Sequence, residues 1–150
     1  MSTIFGMLEK LKRVNLEAEI PVIIQRNSEV AADLNRKQLY NRGVDSNSLK
    51  LSPYQSPAYA LDKNRINPSP GLFNPDLFLT GAFQRGFYAQ VKAGTTIIFG
   101  STDMKTGHLE RKYTNKIFGL TMDSKERFAL ETVMPEIRNY ITGITGLKFS

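Results

Sequence analysis

Asp76, Glu110 and Lys112 have the residue types and the order to do chemistry, in the pairs Pro75-Asp76 and, further along, Glu110-Arg111-Lys112. Two carboxylates on one Mg²⁺, with a lysine beside the attacking water, are the equipment of a phosphodiester-cleaving nuclease. The Pro-Asp…Glu-x-Lys order fits that equipment loosely. Nucleases of this kind carry the pair on adjacent strands of a helix-flanked sheet, whereas Asp76 closes a proline-rich stretch. One further acid, Asp103, lies between the two halves. A Mg²⁺-dependent nuclease is therefore the alternative reading and not the leading one.

Composition removes most other catalytic sets. The chain has no cysteine, so disulfides and thiolate metal sites are excluded. Its one histidine, His108, cannot build a multi-histidine zinc or iron site within one chain. Set between Gly107 and Leu109 in an expected loop, His108 also lacks the partners of a nucleophile triad. No phosphate-cradling Gly-x-x-x-x-Gly-Lys-Ser/Thr loop occurs. No cofactor and no metal are expected.

Charge points to anionic partners instead. The net charge is +6, and it is concentrated between residues 77 and 120, where six basic residues face only Asp103 and Glu110. Arg85, Lys92, Arg111 and Lys112 lie among aromatics, the mixture of a platform for single-stranded nucleic acid. Phe83 and Phe87, however, fall at the spacing of core residues, and no known nucleic-acid module motif is present. The four basic residues are expected to face DNA or an acidic partner, or to lie on a solvated strand face.

The elements that must position these residues fall into four regions. Apolar residues Leu16, Ile20, Ile23 or Ile24, Val30 or Ala31, Leu34 and Leu39 follow helical spacing, capped by Asn15 and closed near Asn41–Gly43. Thr3 can cap a short helix before it, and Pro21 predicts a kink or a late start. Residues 42–76 hold five of the seven prolines among serine and asparagine, which predicts either an extended arm that orders against a partner or a loop draped over its own domain.

Next, "LTGAF" predicts a short helical turn capped by Thr80, "FQRGFYAQV" a strand, "KAG" a hairpin turn and "TTIIFG" a buried second strand. "HLERKYTNKIFGL" reads as a short strand or loop. The last region predicts a helix from an Asp123/Glu126 capping box, bearing Leu130, Met134, Ile137, Ile141 and Ile144 on one face and bent by Pro135. The fold class is α+β: long N-terminal and C-terminal helices packed on a small antiparallel sheet, in a single domain over 1–150 with the proline-rich arm at 42–76.

Three phrases, "LTGAFQRGF", "IIFGSTD" and "IFGLTMDSKERF", give the chain a resemblance. In that order, with "ADLNRKQLY" ahead of them, it resembles small virion-morphogenesis proteins of tailed bacteriophages: tail-completion, neck or head–tail connector proteins. The likeness is greatest to versions from phages and prophages of Bacteroidetes hosts, including crAss-like phages. It spans nearly the whole chain, and it departs from the broader family in the long proline-rich segment.

The resemblance implies a non-enzymatic subunit of a ring, commonly of six or twelve copies, that joins portal to tail. Its partners would be copies of itself, neighbouring portal, neck or tail proteins, and DNA in the channel. It would be made in the host cytoplasm and end in the virion. No signal-peptide core or membrane-length apolar run is apparent, so no membrane partner is expected. The residues expected at subunit interfaces are Tyr54, Tyr59, Leu61, Leu72 and Phe73 in the arm.

Overall fold

The computed structural model describes residues 4–146. Mixed helix and antiparallel strand make this an α+β chain, with helix predominating. The proposed Thr3 cap lies outside the described residues.

The N-terminal region is three helices: α1 (Ile4–Lys12), α2 (Leu16–Arg26) and α3 (Ser28–Lys37). Asn15 caps α2 as expected, its side chain accepting from the Ala18 amide, while its own amide donates to the Tyr140 hydroxyl at 3.0 Å. Pro21 neither delays nor ends α2, which runs on to Arg26. A wide π-helical turn, Gln38–Arg42, follows α3 and closes at Gly43 in the left-handed conformation.

Helix α3 is the spine of the molecule. Its buried Asn35 donates to the Ile117 carbonyl and accepts from the Gly119 amide, both at 3.0 Å. Gln38 repeats the pattern one turn on, donating to the Gly119 carbonyl and accepting from the Thr121 amide. Two carboxamides thus satisfy a backbone segment that has no strand beside it, and each such bond left unmade would cost about 1–3 kcal/mol. Arg36, on the neighbouring face, donates to the carbonyls of Gln84 and Phe87.

The sheet is one hairpin, β1 (Phe87–Ala93) and β2 (Thr96–Ser101), antiparallel, turning at Gly94. Phe87, Ala89 and Val91 point inward against α2 and α3, as the alternation predicted. β2 is less covered than expected: Ile98 is exposed, and Ile97 and Phe99, opposite Val91 and Ala89, are only half-buried against the core. Phe83 belongs not to the strand but to the short helix α5 (Ala82–Arg85). Gly81 begins α5, and Thr80 supports it from one residue earlier by accepting from the Ala82 amide. The Phe83 and Phe87 rings meet edge to face at 4.9 Å, a contact worth about 0.5–1.5 kcal/mol beyond its buried area.

Two segments differ from expectation. The arm is not extended throughout: it contains helix α4 (Pro57–Ile66), with Ser56 as cap and Pro57 in the first turn. Proline has no amide to lose at that position, so it starts a helix as readily as it breaks one. The stretch predicted as strand or loop is helix α6 (Thr106–Tyr113), which packs Leu109 and Tyr113 inward one turn apart.

The C-terminal region is helical without interruption from Met122 to Thr145, as α7 (Met122–Phe128), a π-helical turn (Ala129–Val133) and α8 (Met134–Thr145). Its cap is Thr121, which accepts from the Ser124 amide, and not Asp123. The wide turn inserts a residue just before Pro135, where a regular helix would need the amide that proline lacks. It also changes which residues face inward. Phe128 and Val133, five apart, are buried, whereas the predicted Leu130 is 61 % exposed.

Candidate functional site

An open cleft of about 700 Å³ lies among the described residues. One wall is residues 52–56 with Tyr59 and Lys63 of α4, the floor is the loop from Pro75 to Gly81, and the other wall is α6. The floor hangs on Asp76, whose side chain is 2 % exposed. Its carboxylate accepts from Lys63 Nζ at 2.8 Å, from the Asn67 amide at 3.0 Å and from the Phe78 backbone N–H at 2.9 Å. The Asp76 carbonyl accepts from Gln84, and Lys63 donates also to the Phe78 carbonyl.

This network holds Leu77 at φ 55°, a left-handed conformation that a branched side chain rarely takes. Such strain persists where the surroundings over-determine it. The floor is therefore built before anything binds.

Tyr54 and Tyr59 form the apolar part of the first wall, meeting edge to face at 5.0 Å. The Tyr54 amide donates to the Phe73 carbonyl, which fixes its place beside the floor. Burial, and then the nearby Asp76 carboxylate, push the Tyr54 phenol well above its ordinary value. The opposite wall carries Lys105, the residue that precedes α6, with His108 and Lys112 at i+3 and i+7 on the same side of the helix. Lys112 Nζ sits 5.2 Å from the centre of the Tyr113 ring. Three lysines, Lys63, Lys105 and Lys112, against one aspartate leave the lining at +2 with His108 neutral.

The residues expected from the sequence divide between this cleft and the open surface. Tyr54, Tyr59 and Lys112 line the cleft, and Phe73 supports it from behind. Leu61 and Leu72 are 50 % and 45 % exposed, outside the lining. Arg85, Lys92 and Arg111 are exposed and also outside it, with the Arg85 guanidinium donating to the Thr80 carbonyl. Lys63, Lys105 and His108 were not foreseen. Read as helix, the spacing of Lys105, His108 and Lys112 would have marked them as one face.

The nuclease set is not assembled. Both Asp76 carboxylate oxygens are engaged within the fold, and Glu110 lines a separate hollow beside Phe118 and Lys125. Among the described residues no group of three or more His, Asp or Glu side chains is placed to hold a metal ion. No helix among them is long and apolar enough to cross a membrane. Compared with protein-family models, curated proteins and solved structures, the chain gives no match.

Proposed function

We propose that this protein is a structural subunit of a tailed-phage neck or tail, forming a ring that joins the portal complex to the tail. The resemblance in the sequence motivates this reading, and one observation carries it. Helix α1 buries none of its residues. It contacts α8, with Met7 and Lys10 half-buried, while Ile4, Phe5, Leu8 and Leu11 are 77 %, 80 %, 48 % and 43 % exposed. An apolar stripe on the outside of a helix marks a surface that another chain covers.

In a ring each subunit offers a neighbour two different surfaces, one on each side. The α1 stripe supplies one. The exposed apolar residues Tyr59, Leu61 and Leu72, on and after α4, lie on elements that make no substantial contact with α1 and supply a second. The extended-arm part of the reading then narrows to the segments flanking α4, which reach a neighbour while α4 stays on its own domain. Asp76, Glu110 and Lys112 have no catalytic task here.

Light scattering on the purified chain across a concentration series tests the reading. A discrete species of six or twelve copies is the expected result. A monomer at every concentration, unchanged when purified portal complex is added, would overturn it.

A further inference from the structure

We infer that the cleft between α4 and α6 is a docking slot for a short acidic, apolar-bearing segment of a neighbouring protein chain. The inference rests on the assembly reading above and adds the chemistry of one contact.

Three independent features converge. The floor is preformed, held by the Asp76 network around a strained Leu77, so little ordering remains to be done on binding. The lining includes uncovered apolar residues, with Leu79 69 % and Tyr59 42 % exposed. An apolar anchor seated between them would be enclosed as interface anchors are. Finally, the α6 wall presents cations with no anionic partner, Lys112 resting only on the Tyr113 ring. Among the described residues no carboxylate pairs with Lys105 or Lys112.

Spacing selects the partner. Lys112 lies seven positions after the cap residue Lys105, about 10 Å of helical rise. An extended peptide advances about 3.3 Å per residue, so acids two residues apart lie about 7 Å from one another. Flexible lysine stems close the difference. The residue between those acids points the other way, into the cleft. An acid–apolar–acid run therefore meets both walls at once.

Single-stranded nucleic acid fits less well. Tyr54 and Tyr59 close on each other edge to face and do not offer parallel faces to successive bases. The exposed cations that would follow a phosphate backbone, Arg85, Lys92 and Arg111, lie outside the lining.

The test is fluorescence anisotropy with the whole chain and two probes: a fluorescein-labelled decapeptide alternating glutamate with leucine and phenylalanine, and a labelled oligothymidine strand. The peptide is expected to bind. K105E/K112E should weaken it by about tenfold or more, and Tyr59→Ala should weaken it measurably. K116E/R138E, which changes net charge equally at exposed sites elsewhere, should leave binding within about twofold.

Equal loss in both charge variants would overturn the inference as mere charge attraction. So would lysine-dependent binding of the thymidine strand in place of the peptide, or no peptide binding at all. The assembly reading fails separately. A monomer that still binds the peptide sinks that reading alone. A ring of unchanged mass in K105E/K112E, with no peptide bound by wild type, sinks the slot alone.

Discussion

Lys63 Nζ lies 2.8 Å from the Asp76 carboxylate in a site where the two side chains are only 10 % and 2 % exposed. The pair joins α4 to the floor of the cleft. Removing one partner strands a buried charge, which costs about 3–5 kcal/mol. Asp76→Ala and Lys63→Met should each lower the urea midpoint accordingly. The double variant should lose less than the sum of the two, because the partners share one interaction. Additive losses would mean that the pair contributes little to stability.

Gly43 and Gly94 both have positive φ, but only Gly43 is crowded. A β-carbon at Gly43 would stand 2.6 Å from the Pro75 carbonyl oxygen, whereas at Gly94 it would meet nothing within 4 Å. Gly94→Ala should cost about 1–2 kcal/mol, the left-handed penalty alone. Gly43→Ala should cost clearly more, since it also pushes Pro75 and the cleft floor away. Thermal melts of the two variants measured side by side decide this, and equal losses would refute the crowding.

Tyr54 links stability to alkaline pH. Its phenol is held above the ordinary value of 10.0 by burial and by Asp76. Above about pH 10 the unfolded chain releases this proton while the native chain keeps it, so stability falls as pH rises. Below that pH the contribution is fully present. Tyr54→Phe should flatten the decline between pH 9 and pH 11 in denaturation midpoints taken against the wild type. Parallel curves would contradict it.

The outward stripe of α1 separates assembly from folding. L8E/L11E alters side chains that the isolated chain leaves 48 % and 43 % exposed, so the urea midpoint should correspond to a change within about 0.5 kcal/mol. Light scattering should show the larger species gone. A ring that survives the two glutamates would remove α1 from the interface.

Much of the fold was legible where the physics is local. Asn15 caps a helix, Gly43 ends one, Gly94 turns a hairpin, and Phe87, Ala89 and Val91 alternate inward, each through its own neighbours. The failures share a non-local cause or a broken period. Leu130 lost its inward place because the π-helical turn slips the helix by one residue, which no 3.6-residue pattern reveals. Helix α6 shows only Leu109 and Tyr113 as an apolar pair, too brief a signal to separate it from a strand. Pro57 and Ser56 carried the start of α4, but the surrounding prolines drew the reading toward an extended chain.

The site was half legible for the same reason. Tyr54, Tyr59 and Lys112 stood out by type, but the sequence does not say that Lys63 reaches Asp76 or that α6 turns Lys105 and His108 toward the same hollow.

The carboxamides of α3 also set the order in which the molecule can be completed. Asn35 and Gln38 find their partners 81 to 84 residues further along, at Ile117, Gly119 and Thr121. As the chain leaves the ribosome, the helices that will form the spine come first, with these amides still turned to water. Contacts over such separations form late, after the intervening chain has been confined. A nascent chain cut before Ile117 would hold a spine with nothing to grip. Closure of the spine therefore waits for a chain translated past Thr121.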